Sequence, residues 1–127
     1  MQKPVYNIED IDVECRAVVE TLNELPGIAT ESCCSGHYKE PFSVWFFCDD
    51  FITLGRLYRC VDRNYSDGKF VIEVSCSDTA PTHGFVLKSK RVFDNETELN
   101  ASVDLLMENI QYWFQEKFDE YFNSVRL

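Results

Sequence analysis

The stretch IATESCCSGHYKEPFSVWFFC, residues 28–48, decides the fold. Ile28 to Cys33 alternates and is rich in β-branched residues, and Ser43 to Cys48 is a short apolar run bounded by Pro41 and by Asp49 and Asp50, so both segments read as strands. A loop of about ten residues, Cys34 to Phe42, joins them. Upstream, Ile8, Ile11, Cys15, Val18, Val19, Leu22 and Leu25 recur at intervals of three and four, with Asn7 as N-cap and Pro26-Gly27 as stop, which predicts an amphipathic helix. Downstream, Asp50 caps a second helix with Leu54, Leu57, Tyr58, Val61 and Tyr65 on one side, ended by Ser66-Asp67-Gly68. Lys69 to Cys76 puts Phe70, Ile72, Val74 and Cys76 on one face at period two. After a loop containing Pro81 and His83, Phe85 to Lys90 alternates again. A last helix, about Glu96 to Ser124, carries Leu99, Val103, Leu106, Ile110, Trp113, Phe114, Phe118, Tyr121, Phe122 and Val125.

The order α-β-β-α-β-β-α predicts a single α+β domain over residues 1–127: a four-stranded, mainly antiparallel sheet with helices packed on one face and a long C-terminal helix. At 1.5 Å per residue that helix spans about 40 Å, more than such a sheet needs. Its aromatics, Trp113, Phe114, Phe118 and Phe122, either pack on a second copy, giving a homo-oligomer, or wrap the chain's own sheet.

Composition agrees with one folded domain. The 127 residues are 45% hydrophobic and 14% aromatic against 27% charged, enough apolar surface to offset the entropy of ordering the chain. No run of 18 apolar residues and no apolar leader occurs, so neither a membrane span nor a secretory signal is expected, and the cytoplasm is the expected compartment. The net charge of −10, from 12 basic and 22 acidic residues, argues against general nucleic-acid affinity, which draws on clustered Lys and Arg. The charge is unevenly spread. Residues 94–127 hold eight acids against two bases, whereas residues 39–91 hold eight bases against seven acids, so an anion site belongs in the middle third.

Six cysteines would suit a disulfide set, but without an export signal free thiols are the expectation. Cys15, Cys48, Cys60 and Cys76 fit core positions as small hydrophobes. Cys33 and Cys34 belong instead to the segment Glu31-Ser32-Cys33-Cys34-Ser35-Gly36-His37. A loop of small residues can turn its backbone N–H groups toward one point, with Gly36 supplying the conformation and Ser32 and Ser35 adding hydroxyl donors, which suits a phosphate or carboxylate. His37 then serves as donor, general acid or ligand. The plainer alternative is a tight turn whose serines satisfy its own backbone.

The stretch from Val13 to Phe47, with LNELPGIATESCCSGHYKEPFSVWFF, and the later RCVDRNY resemble a family of small uncharacterised proteins of phages and Gram-positive bacteria, marked by SCCGHGK-PF-IWF and RCVDRRY patterns. The resemblance covers about residues 13–90. This chain has Ser35 in addition and Tyr38 where that family has glycine. More distantly, the helix, strand and turn resemble the methyltransferase-like family of wybutosine-tRNA synthesis, whose loop reads SSCSGR; His37 stands here in place of that arginine, and the other motifs of that family are absent.

Zinc ligation could draw on Cys33, Cys34, His37, Cys48, Cys76 and His83, but no CxxC pair is present and adjacent cysteines rarely face one ion, so no metal or cofactor is assigned. Cys33 or Cys34 with His37 meets the needs of thiolate catalysis in residue type alone, with no orienting acid identifiable. On the second helix Arg56, Arg59 and Arg63 are spaced to share one side, where three guanidiniums can grip phosphates or simply form a solvated face pairing with acids such as Asp62. Lys88 and Lys90 share one strand face, and Arg91 follows. Tyr38, Phe42, Trp45 and Tyr65 can stack on a base.

The leading expectation is a non-catalytic binder of a small anionic, nucleotide-derived ligand, held by Ser32, Cys33, Cys34, Ser35, Gly36, His37, Lys39, Arg56, Arg59, Arg63 and Lys88. The phage resemblance implies sequestration of a host defence signal. The alternatives are an enzyme acting on a nucleotide or modified RNA through the Cys/His loop, and an acidic inhibitor whose last helix, with Glu108, Glu116, Asp119 and Glu120, imitates nucleic acid to block a basic protein.

Overall fold

The computed structural model describes residues 8–62, 68–77 and 80–114, with the backbone alone at 8, 76, 77 and 80–83. The chain runs through α1 (Arg16–Glu24), β1 (Ile28–Cys34), β2 (Ser43–Cys48), α2 (Phe51–Asp62), β3 (Phe70–Ser77), β4 (Ala80–Ser89) and α3 (Glu96–Tyr112), the order read from the sequence. The four strands form one sheet in the order β1-β2-β4-β3, and all three pairings are antiparallel. Among the described residues no helix is long and apolar enough to cross a membrane.

Alternation assigns the two faces of the sheet. Val44, Leu87 and Ile72 are cross-strand partners and buried, whereas the next row, Trp45, Val86 and Glu73, belongs to the opposite face. The buried rows receive the helices: α1 packs on β1, α2 on β3 and β2, and α3 on α1 and α2. Val18, Val19 and Leu22 from α1, Leu57, Cys60 and Val61 from α2, and Leu99, Leu106 and Ile110 from α3 close one core with Phe42, Phe46 and Phe70. Asn23 ties α1 to β1, its amide donating to Thr30 Oγ1 at 2.8 Å and its carbonyl accepting from Thr30 N at 2.9 Å.

The first helix is shorter than its apolar spacing predicts. Two 3-10 turns, Ile8–Asp10 and Val13–Cys15, precede α1, and Asp12 between them is extended (φ −47°, ψ 131°). Its carboxylate leaves the helix to accept from Ser35 N at 3.1 Å, so a tertiary contact overrides the local pattern. The expected cap Asn7 lies outside the described residues. The predicted stop holds, with extended Leu25 before Pro26 and Gly27 at φ +76°.

β4 begins at Ala80, so the expected loop through Pro81 and His83 is strand instead, and the strand ends at Ser89, one residue earlier than read. Ser89 is fixed there by Phe42: Ser89 N donates to Phe42 O at 2.9 Å and Phe42 N to Ser89 Oγ at 3.0 Å. The last helix is described to Tyr112, and its expected continuation to Ser124 lies outside the described residues. Trp113 and Phe114 pack on the chain's own core.

Candidate functional site

β1 carries a bulge between Thr30 and Ser32, where Glu31 has no partner in the register. The extra residue shifts the alternation, so Cys33 packs against the core beside the thiol of Cys15 and Cys34 opens the loop. Burial pushes the thiols of Cys15 and Cys33 up, and Cys60, also desolvated, is pushed up to about 12. Cys15, Cys48 and Cys60 are buried, as read from the sequence, and all five described cysteines are free.

The loop turns through three successive left-handed residues, Gly36 (φ +86°), His37 (φ +50°) and Tyr38 (φ +60°). A non-glycine residue adopts this region at a cost, which the surrounding contacts must hold in place. Lys39 N and Glu40 N both donate to Gly36 O, at 2.9 and 3.0 Å. Gly36 N donates to Cys34 Sγ at 3.4 Å, and His37 N donates to Ser35 Oγ at 3.4 Å. With Ser35 N given to Asp12, the amides of 35, 36, 37, 39 and 40 are engaged inside the protein, so the loop takes the form of the self-satisfied turn and not of an anion cradle. Ser32 and Lys39 are exposed beside it.

What the loop does assemble is a cluster the sequence did not disclose. Asp12 Oδ2 lies 3.5 Å from His37 Nε2, and Ser35 Oγ lies 3.4 Å from His37 Nδ1. One ligand atom each from Asp12, Cys34 and His37 fall within 4.8 Å of one another. The Ser35 amide, and after it the Ser35 hydroxyl and His37, hold the Asp12 carboxyl below its ordinary 3.8 against the opposing effect of burial. Asp12 was missed because it sits inside a convincing helical pattern, where an acid reads as a solvated face.

The remaining predicted residues are dispersed. Arg56 and Arg59 lie on α2, which packs on β3 and β2, while the loop leaves β1 at the sheet edge opposite β3. The Arg56 guanidinium lies 5.1 Å over the ring of Phe114, Arg59 is exposed, and Arg63 is outside the described residues. The buried side of α2 is Thr53, Leu57, Cys60 and Val61, turned from the predicted stripe so that Tyr58 is exposed. Lys88 donates to Glu73 at 3.0 Å, on the face away from the helices. Of the stacking candidates, Phe42 is core, its ring 6.2 Å from Phe70; Trp45 is half-buried; Tyr38 is exposed; Tyr65 is outside the described residues. Glu108 is exposed on α3, and Glu116, Asp119 and Glu120 are outside the described residues.

A second basic group is better placed. Gly68, Lys69, Ser89, Lys90, Arg91, Phe93 and Glu98 line a cavity of about 340 Å³ at the end of the sheet where β3 starts and β4 stops. Lys69 Nζ donates to Ser102 Oγ at 3.3 Å. Among the described residues neither Lys90 nor Arg91 forms an ion pair, and the carboxylate of Glu98 accepts from Asp94 N at the start of α3. The loop borders this end: Phe42 is bonded to Ser89, and partial desolvation together with the carboxylates of Glu96 and Glu14 raises the Tyr38 phenol. Another cavity, between α2 and β3, is lined by Phe51, Leu54, Tyr58, Ile72, Val74 and Phe85 with Glu73, and offers an anion nothing. Comparison with known protein families, with curated proteins and with solved structures finds no match.

Proposed function

We propose that the protein is a non-catalytic binder of a small anionic, nucleotide-derived ligand, seated in the cavity of Lys69, Lys90 and Arg91. The observation that carries this reading is a cavity of about 340 Å³ with three cationic side chains on its wall in a chain of net charge −10. The volume lies within the range of small-ligand sites. Arg91 supplies a planar donor fork suited to phosphate, Lys69 and Lys90 supply point charges, and Gly68, Ser89 and Phe93 line the remainder together with Glu98, whose carboxylate is engaged by Asp94 N. The net negative charge keeps long polyanions away while a small anion enters. The resemblance to phage proteins supports a narrower form of the proposal, in which the ligand is a host defence signal and the protein sequesters it.

Native mass spectrometry of the protein purified from cells tests this. The expected result is an adduct of nucleotide mass on the wild type that Arg91→Ala loses and Arg59→Ala keeps. Bare protein that also fails to take up added nucleotide overturns it.

A second reading is an enzyme acting on a nucleotide through Cys34 and His37. The Asp12 carboxylate 3.5 Å from His37 favours it, because an orienting acid is the member that triads of this kind require. It predicts turnover abolished in His37→Ala while ligand binding persists.

A further inference from the structure

We propose that Asp12, Cys34 and His37 are the ligands of a zinc ion, with the fourth coordination position open. The proposal stands on the loop cluster alone and does not depend on the anion cavity.

Three residues of three different types converge there, Cys34 and His37 from the loop after β1 and Asp12 from the segment before α1, with their ligand atoms within 4.8 Å of one another. Zinc bonds of about 2.0–2.3 Å to nitrogen, oxygen and sulfur set donor separations of about 3.3–3.8 Å in a tetrahedron. The 3.5 Å between Asp12 Oδ2 and His37 Nε2 is already such an edge, and closing the sulfur onto it takes a shift on the order of 1 Å.

Each ligand also has a partner that orients it. Ser35 N donates to the Asp12 carboxylate, Ser35 Oγ meets Nδ1 of His37 and leaves Nε2 toward Asp12, and Gly36 N donates to Cys34 Sγ. Metal sites depend on outer contacts of this kind to fix ring orientation and ligand basicity. His37 stands in the left-handed region at φ +50°. Cys33, the adjacent thiol, faces the core at Cys15 and is not part of the set.

The donor set selects the ion. A thiolate with an imidazole suits zinc or cobalt and is a poor match for magnesium or calcium, which take oxygen ligands. His37 has 69% of its side chain exposed and Asp12 34%, so the fourth position faces solvent, as in sites that accept an exchangeable ligand and unlike closed structural sites.

The test is titration of metal-free protein with Co²⁺, followed by absorption, and with Zn²⁺, followed by native mass. The proposal expects one equivalent of metal, a near-ultraviolet thiolate-to-cobalt band, and displacement of cobalt by zinc. Cys34→Ser should abolish the band, and His37→Asn, a change at an exposed side chain that leaves the core untouched, should weaken binding at least tenfold. Cys48→Ser should keep it. Wild-type protein that gains neither band nor metal mass overturns the proposal, as does a band that survives Cys34→Ser or disappears in Cys33→Ser alone.

Discussion

Gly36 stands at φ +86°, and a Cβ on it would collide with the carbonyl oxygen of Glu40, which the loop folds directly against it. Gly36→Ala is therefore expected to destabilise the protein by about 1–3 kcal/mol, read as a lower urea midpoint. An unchanged midpoint would mean that the turn is not built as described. Asp12 acts on the same loop from the other side, and its pH dependence has a definite sign. Because its carboxyl is held below 3.8 in the folded state, its contribution is complete above that value and is lost as pH falls through the lower folded value. Asp12→Asn should cost about 1–2 kcal/mol at neutral pH, and the gap from wild type should narrow in acid denaturation below pH 3.8. A gap constant with pH would remove Asp12's charge from the account. Neither residue's role was equally legible: Gly36 announces a special backbone by type, whereas nothing in the spacing of Asp12 separates it from an ordinary helix surface.

At the scale of elements, the starts of α2 and α3 were readable, whereas the start of α1 and the ends of β4 were not. Asp50 accepts from Ile52 N at 3.0 Å and Thr53 N at 3.1 Å, and Asn95 accepts from Glu98 N at 2.9 Å, so both helices begin where a short polar side chain takes up orphan amides. Asp50→Ala and Asn95→Ala should each cost about 1 kcal/mol by thermal or urea unfolding, and a neutral effect at either position would contradict its capping role. Strand existence was readable from period two, but the register was not: the bulge at Glu31 reverses which residue faces inward, and no local propensity marks it. The rotation of α2 has a similar origin. Its apolar residues permit a broad stripe, and the choice of Leu57, Cys60 and Val61 over Tyr58 is made by α3 and β3, which pack on it from two sides. Arg56 lies over the ring of Phe114, just past the end of α3.

The whole molecule divides its chemistry between a thiol, imidazole and carboxylate cluster on the loop after β1 and a basic cavity where β3 begins and β4 ends, both at one end of the sheet. The basic middle third of the sequence pointed to this region, and the separation of its members did not follow from sequence, because strand order decides which loops are neighbours. The antiparallel pairing of β3 with β4 brings Lys69, distant in sequence, to one cavity with the adjacent pair Lys90 and Arg91. For long polyanions the net charge of −10 should dominate, so duplex DNA is expected not to bind at physiological ionic strength in a fluorescence-anisotropy titration.

The most direct test of the binding account is calorimetric titration of a panel of mono-, di- and cyclic nucleotides into the wild type, Lys90→Ala/Arg91→Ala and Arg59→Ala. The account predicts that at least one nucleotide binds the wild type, that the double variant loses at least tenfold in affinity, or about 1.4 kcal/mol, and that Arg59→Ala does not change it. No binding by any member of the panel, or equal affinity in the double variant, would contradict it.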